Sequence, residues 1–214
     1  MSKAAASAAA QRKRRNLLLF GGLGGVVAVA AIVAVVVSVA GGGPATTPLE
    51  RTAAGLASAG PEGNAPNFSF TLYQGEDKLG AKTLDFSQLQ GRPIVLNFWA
   101  GLCPPCRAEM PDLQRFYDES KDDVLLLGID VGQFTGLGNK GDAQDLLREL
   151  GVTYPTGFTD DGSIMRKYEV LGMPTTVFID SNGEIFENWT GALNRNTLKQ
   201  ITDAMLEAEA RPAS

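Results

Sequence analysis

The chain has 214 residues, two Cys, no His and a formal net charge of −5, and this length suits one or two domains. Without His there is no Ser-His-Asp or Cys-His catalytic pair, no imidazole metal ligand and no C-x-x-C-H motif for haem attachment. Two Cys alone complete neither a closed zinc site nor an iron–sulfur cluster, so the sequence predicts no metal and no cofactor.

Charge is unevenly distributed along the chain. Five basic residues and no acidic residue lie before residue 41, so residues 41–214 carry a net charge of −10. An acidic domain repels nucleic acid, and no basic stripe opposes this effect. The sequence therefore predicts no binding to nucleic acid.

An uncharged, apolar run of 24 residues occupies positions 17–40. As a helix it would be about 36 Å long, enough to cross a hydrocarbon core of about 30 Å. Residues 12–15 are all basic, so the positive-inside rule predicts a single-pass anchor in the cytoplasmic membrane, with residues 1–16 as a cytoplasmic stub. The alternative is a cleaved signal peptide, because residues 38–40 resemble a cleavage site, although the run is longer than the usual apolar region.

Residues 41–65 consist mainly of small residues and predict a flexible linker, because they offer little apolar surface to offset the entropy of ordering. Beyond it, recurring apolar runs between turn signals predict one compact, extracytoplasmic domain over residues 66–214. In chain order, we expect strands at residues 68–72, 84–86, 93–99, 124–130, 175–180 and 184–189. We expect helices at 104–118, 143–150, 163–168 and 195–210. Turns or loops are expected at 75–80, 132–141 and 181–183. This alternation indicates an α/β sandwich around a mixed sheet.

Both cysteines lie in the motif Cys103-Pro104-Pro105-Cys106, which follows a predicted buried strand and opens a predicted helix. The unpaired N–H groups and the positive dipole end at a helix N-terminus lower the pKa of a Cys placed there. We therefore interpret Cys103, nearer the helix end and the surface, as the attacking thiolate and Cys106 as the thiol that resolves the mixed disulfide. Two other interpretations are an inert staple, which would close too short a loop to stabilise much, and a metal site, which lacks further ligands.

Three segments of the sequence resemble a known family. Residues 97–111 (NFWAGLCPPCRAEMP) resemble the active-site segment of the thioredoxin superfamily, residues 87–93 (SQLQGRP) its lead-in, and residues 168–183 (YEVLGMPTTVFIDSNG) its proline loop and hairpin. The chain is most similar to the membrane-anchored thiol–disulfide oxidoreductases of the TlpA/ResA/CcmG kind. This resemblance implies a thioredoxin-like fold, in which helices flank a mixed central sheet with an N-terminal strand extension, preceded by one transmembrane helix.

The resemblance also implies roles around the cysteine pair. Met173-Pro174 would form a cis peptide facing the cysteines, with Pro174 in the catalytic site and the Met173 backbone pairing with an extended substrate. An ordinary proline at the start of a strand is the alternative. We also expect Trp99, Pro104 and Pro105 to contact the substrate, although a core role for Trp99 is equally open.

Asn97 and Glu109 indicate which branch of the thioredoxin superfamily the chain resembles. Asn97 stands where cytoplasmic thioredoxin has a buried Asp, and Asn is typical of the TlpA-like branch. Glu109 lies one helical turn after Cys106, on the same face, where relatives of this branch have an acid. Its carboxyl would be catalytic if it relayed the Cys106 proton, which requires a raised pKa. A solvent-exposed helix Glu is the alternative.

The sequence thus predicts an enzyme, a thiol–disulfide oxidoreductase whose Cys103–Cys106 pair exchanges disulfides with protein partners. The resemblance favours a reductant acting outside the cytoplasmic membrane, with apocytochrome c among its substrates, and such a reductant requires an electron-donating membrane partner. Two alternatives stay open: an oxidase that donates disulfides and, in another class, a copper- or metal-binding module on the same scaffold. A peroxidase is also conceivable on this fold, but Cys103 lacks the Pro-x-x-x-Thr/Ser-x-x-Cys setting.

Overall fold

The computed structural model describes residues 63–211. The predicted cytoplasmic stub, the apolar run 17–40 and all but the end of the linker lie outside the described residues. Between residues 63 and 211, no helix is both long enough and apolar enough to cross a membrane. The end of the linker pairs with the hairpin near the C-terminus: the Ala65 amide donates to the Gly183 carbonyl at 2.8 Å, and the Ile185 amide donates to the Gly63 carbonyl at 2.9 Å.

A seven-stranded sheet forms the centre of the described domain. Its strands are β1 (Ser69–Gln74), β2 (Thr83–Asp85), β3 (Ile94–Trp99), β4 (Leu125–Asp130), β5 (Thr156–Phe158), β6 (Thr175–Ile179) and β7 (Ile185–Thr190). Their spatial order is β2-β1-β5-β4-β3-β6-β7. The pairs β3–β4 and β4–β5 are parallel and the other pairs are antiparallel. The predicted mixed sheet is confirmed.

Helices and a 3-10 turn complete the fold. They are α1 (Glu76–Leu79), the 3-10 turn (Phe86–Leu89), α2 (Pro104–Ser120), α3 (Gly132–Thr135), α4 (Lys140–Leu150), α5 (Ile164–Lys167) and α6 (Arg195–Glu209). Every residue of β3 and β4 is buried, because apolar layers cover both faces of the sheet. Side chains of β3 alternate between two clusters: Val95 and Trp99 pack with α2, α4 and α6, whereas Leu96 and Phe98 pack with α5 and the 3-10 turn.

The structure differs from the expected elements in three places. Strand β5 was not predicted, because three residues centred on Gly157 show no periodicity. The predicted turn at 75–80 contains α1, and the predicted loop at 132–141 contains α3. Helix α4 begins three residues earlier than expected, because the Asn139 side chain caps it by accepting from two backbone amides.

Strand register brings four connecting segments to one end of the sheet. Trp99 pairs with Asp130, Phe98 with Thr175, and Thr175 with Thr190. The segments that follow β3, β4 and β7, and the segment that precedes β6, therefore meet at this end. They are residues 100–106, 131–139, 190–194 and 170–174. We call the first of them the cysteine turn.

Candidate active site

The two cysteines form a disulfide at the start of α2, with a Cα–Cα distance of 5.3 Å. Cys103 is the N-cap of this helix, and its Sγ accepts a hydrogen bond from the Cys106 amide at 3.3 Å. Such a donor, together with the helix dipole, stabilises a thiolate on Cys103 after reduction. Cys103 is 2% exposed and Cys106 is fully buried. Both cysteines are therefore buried in the disulfide, so exposure does not distinguish them, and the assignment of Cys103 as the attacking thiol stays a prediction.

The cysteine turn is held by backbone contacts. The Cys103 amide donates to the Ala100 carbonyl at 3.2 Å, and the Leu102 amide donates to the Leu137 carbonyl at 2.8 Å. A Cβ on Gly101 would lie 2.5 Å from the Ala143 amide nitrogen in α4. Only glycine allows so close an approach of two backbones, so the turn is fixed against α4.

The segment before β6 contains a cis peptide bond between Met173 and Pro174, as the family resemblance implied. Pro174 is buried, and Met173 packs against the core cluster that includes both cysteines. The Gly191 amide donates to the Pro174 carbonyl at 2.8 Å, and the Thr175 hydroxyl donates to the Gly172 carbonyl at 2.8 Å. These hydrogen bonds hold the proline segment at the same end of the sheet as the cysteine turn.

Glu109 is buried beneath the site, so the solvent-exposed alternative is wrong. Its Oε1 accepts from the Asn97 side-chain amide at 2.9 Å, and its Oε2 accepts from the Leu193 amide at 3.0 Å. Burial raises the pKa of Glu109 to about 7, although both hydrogen bonds oppose the rise. A carboxyl with this pKa can take up and release a proton near neutral pH, one helical turn from Cys106.

The proposed substrate contacts have different environments. Trp99 is fully buried in the core cluster that contains the cysteines, which favours its core role over contact with a substrate. Pro104 and Pro105 are exposed, and Met173 is partly buried. These three residues therefore stay candidates for contact with a protein substrate.

Sequence reasoning missed a buried polar pair beside the site. Asp130, the last residue of β4, is buried and accepts from the Tyr73 hydroxyl at 2.9 Å and from the Gly132 amide at 2.9 Å. Burial raises the pKa of the Asp130 carboxyl, and these hydrogen bonds oppose the rise. The available signal was an acid at the end of an apolar strand, but Tyr73 is too distant in sequence to suggest the pairing.

The four segments that meet at this end of the sheet are uncharged. None of the segments 100–106, 131–139, 170–174 and 190–194 contains Asp, Glu, Lys or Arg, although the rest of the domain is acidic. Leu102 is 59% exposed and Leu171 is 77% exposed. Large exposed apolar residues beside a reactive centre are typical of a surface that receives another polypeptide.

Residues 63–211 contain no group of three or more His, Cys, Asp or Glu side chains arranged to hold a metal ion. The two cysteines of the chain are joined to each other in the structure. The arrangement is therefore suited to two-electron exchange between a dithiol and a disulfide.

Comparison with known proteins agrees with this chemistry. Residues 61–187 match the AhpC/TSA family. A thiol-disulfide oxidoreductase ResA from Oceanobacillus iheyensis is 35% identical over 135 residues, which cover 63% of this chain and 67% of the relative. The sporulation thiol-disulfide oxidoreductase A of Bacillus subtilis is 29% identical over 53% of this chain and 68% of the relative.

A solved structure supports the assignment of the fold. The crystal structure of StoA from Bacillus subtilis superposes with a TM-score of 0.53 at 25% sequence identity, and the match covers 64% of this chain and 96% of that chain. The strand order and the position of the cysteine pair are those of a thioredoxin-like fold.

Proposed function

The chain belongs to the AhpC/TSA family and is a thiol–disulfide oxidoreductase, and on this premise we propose that it is a membrane-anchored reductant that acts on oxidised proteins outside the cytoplasmic membrane. The buried Glu109 carboxyl, one helical turn after Cys106, is the observation that supports electron transfer from the enzyme to its client. A negative charge there raises the free energy of a thiolate in the cysteine pair, so it opposes the stabilisation that the helix N-terminus gives the Cys103 thiolate and favours the disulfide over the reduced form.

The reaction proceeds in two exchanges. The Cys103 thiolate attacks one sulfur of the client disulfide, the client S–S bond breaks, and the released client sulfur takes up a proton. Cys106 then gives its proton to Glu109 and attacks the Cys103 sulfur, which releases the second client sulfur and forms the Cys103–Cys106 disulfide. The client gains two electrons, and the structure represents the oxidised product of the enzyme.

Renewed turnover requires two electrons from another dithiol. The chain has no Cys besides Cys103 and Cys106, so it cannot pass electrons across a membrane through its own thiols. We therefore assign the donor role to a membrane protein that carries a reactive dithiol. The apolar run 17–40, preceded by basic residues, supports placing the enzyme beside such a donor.

The uncharged segments at this end of the sheet support a polypeptide client. Leu102 in the cysteine turn and Leu171 in the 170–174 segment offer exposed apolar side chains, and the absence of charge in these segments avoids desolvating ions on docking. Apocytochrome c with an oxidised C-x-x-C-H motif is the client that the family resemblance favours. Pro104, Pro105 and the Met173 backbone complete the proposed contact surface.

The reduction potential of the full chain in detergent tests the proposed direction. The protein is equilibrated in glutathione or dithiothreitol buffers, and the reduced fraction is measured after alkylation. A potential near or below about −250 mV supports a reductant, whereas one above about −180 mV indicates the disulfide-donating alternative. Glu109→Gln should raise the potential, because it removes a negative charge that disfavours the Cys103 thiolate of the reduced pair.

Client chemistry needs a separate measurement. The reduced full chain is mixed with a peptide containing an oxidised C-x-x-C-H motif and with the same peptide bearing two serines in place of the cysteines. Stoichiometric reduction of the first peptide supports maturation of apocytochrome c. A Cu(I) titration of the reduced chain tests the metal-binding alternative, which tight stoichiometric binding without disulfide exchange would favour.

A further inference from the structure

Asp130 connects two parts of the fold beside the cysteine turn. Its Oδ2 accepts from the Tyr73 hydroxyl of β1, and its Oδ1 accepts from the Gly132 amide in the 131–139 segment, both at 2.9 Å. The parallel register places Asp130 opposite Trp99, the residue after which the cysteine turn begins. The buried carboxylate therefore lies where β4 and β3 both end.

Backbone hydrogen bonds on both sides of Gly132 join the 131–139 segment to the end of β3 and to the cysteine turn. The Val131 amide donates to the Trp99 carbonyl at 2.9 Å. The Leu137 amide donates to the Gly132 carbonyl at 3.1 Å, and the Leu137 carbonyl accepts from the Leu102 amide at 2.8 Å. A continuous set of hydrogen bonds thus leads from Asp130 through Gly132 and Leu137 to the residue before Cys103.

Close packing limits independent movement of Asp130, the 131–139 segment and the cysteine turn. A Cβ placed on Gly132 would lie 3.0 Å from the Gly138 carbonyl oxygen, 3.1 Å from Asp130 Oδ1 and 3.3 Å from the Ala100 Cβ. The carboxylate, the 131–139 segment and the cysteine turn are therefore in close mutual contact. A displacement of Gly132 would be transmitted to the turn, because closely packed groups cannot shift independently.

We propose that Asp130 is a positioning residue for disulfide exchange, which fixes the Gly132 amide and thereby holds the Leu102–Cys103 backbone in the geometry for attack. Tyr73 orients the carboxylate from β1. The inference rests on Cys103 being the attacking thiol and does not depend on the direction of electron transfer. It assigns the effect to hydrogen-bond geometry, so an uncharged side chain with the same acceptor should replace Asp130.

The test compares Asp130→Ala, Asp130→Asn and Gln74→Ala in the full chain in detergent. Asn keeps an oxygen for the Gly132 amide but loses the charge, whereas Ala loses both. Gln74 is the matched control, because its side chain also makes two hydrogen bonds, to the Val152 and Tyr154 carbonyls, but none to the cysteine turn or the 131–139 segment. Each variant is measured for hydrogen exchange in peptides covering Leu102, for the rate of reaction with oxidised glutathione, and for reduction potential.

Positioning predicts that Asp130→Ala speeds hydrogen exchange at Leu102 and lowers the rate with oxidised glutathione on the order of tenfold, a change typical of losing a hydrogen bond to a charged group. Asp130→Asn should restore both to within about twofold of wild type. Gln74→Ala should lower thermal stability without changing either value. Unchanged Leu102 exchange in Asp130→Ala would overturn the inference, and so would an Asp130→Asn variant as slow as Asp130→Ala, since the charge would then be the cause.

Two outcomes separate this inference from the proposed function. If the wild-type chain exchanges disulfides at an oxidising potential, the reductant proposal fails, but the comparison of variants still decides the role of Asp130. If Asp130→Ala does not fold, Tyr73→Phe replaces it, since it removes one hydrogen bond and keeps the ring. Faster Leu102 exchange in Tyr73→Phe than in Gln74→Ala then supports positioning, and equal exchange contradicts it.

Discussion

The side chain of Asn97 joins β3 to the buried carboxylate of Glu109 on α2 by an N–H···O hydrogen bond of 2.9 Å. The same amide group donates to the Thr176 hydroxyl at 3.0 Å. Glu109 therefore has two hydrogen-bond donors, Asn97 and the Leu193 amide, and no ion pair with a cation is present at this carboxylate in the described part of the chain. Burial consequently outweighs the hydrogen bonds, and the pKa of Glu109 rises to about 7.

This raised pKa predicts a loss of stability as the pH increases. Folding raises the pKa of Glu109 from 4.5 to about 7, so its favourable contribution is present below pH 4.5 and is lost as the pH rises through 7. The free energy of unfolding should fall by about 3 kcal/mol across this window. Denaturant unfolding at a series of pH values checks the prediction, with Glu109→Gln as the variant that should lack this component.

Asp130 also has a pKa raised by burial, but it is the same in wild type and in Glu109→Gln. Its contribution to the pH dependence of stability therefore cancels when the two proteins are compared. The difference between wild type and Glu109→Gln therefore isolates Glu109. Identical pH profiles for the two proteins would contradict the assigned pKa.

The release of the mixed disulfide should depend on the same carboxyl. Its ionised form accepts the Cys106 proton, so the rate of the second exchange should rise as the pH increases through about 7. Glu109→Gln should reduce this rate by about 10²-fold, in the usual range for general base catalysis, while the first exchange at Cys103 changes little. Rapid-quench trapping of the mixed disulfide separates the two steps, and an equal slowing of both would argue against a proton relay.

The two cysteines should respond differently to substitution. Cys103→Ser should abolish exchange, whereas Cys106→Ser should accumulate a mixed disulfide between Cys103 and the client. Non-reducing electrophoresis, with and without dithiothreitol, distinguishes these results. Both variants should fold, because a disulfide that closes so short a loop stabilises little. Accumulation of a client adduct with Cys103→Ser would reverse the assigned roles.

Replacing an exposed leucine should slow the reaction with protein clients more than the reaction with small disulfides. Leu171→Ser removes an apolar side chain that is 77% exposed and should lower kcat/KM for an oxidised protein client by about tenfold. The rate with oxidised glutathione should stay close to that of wild type. Phe186→Ser is the matched control, since Phe186 is exposed on β7 near the opposite end of the sheet. Equal losses in Leu171→Ser and Phe186→Ser would exclude a specific docking surface.

Gly101 should tolerate no side chain. Gly101→Ala would place a Cβ 2.5 Å from the Ala143 amide nitrogen and 2.6 Å from the Asp142 carbonyl carbon, and neither backbone atom can move without shifting α4. We expect a loss of about 3 kcal/mol in unfolding free energy, at the upper end for an overpacked site. Gly151→Ala is the control: its Cβ would meet no atom within 4 Å, and its φ of +64° should cost only about 1 kcal/mol. Similar losses at both positions would show that the close contact can relax.

The cysteine motif, its place between a buried strand and a helix, and most of the regular elements could be predicted from the sequence. These features depend on residues close together in the chain: the apolar run of β3, the spacing of Cys103 and Cys106, and the turn residues at 181–183. The family resemblance added the cis peptide at Pro174. The anchor at residues 17–40 stays a prediction, because it lies outside the described residues.

Which polar groups are buried, and what they contact, depends on the packing of distant segments and could not be predicted from the sequence. From the sequence, Glu109 could be an exposed or a buried helix residue. It is buried because β3 and the Leu193 segment pack against α2 at this position. Tyr73 and Asp130 are 57 positions apart, and only the insertion of the short strand β5 between β1 and β4 sets their relative position. Hydrophobic periodicity specifies which face of an element is buried, but strand order and register, set by the packing of the whole domain, determine which buried groups meet.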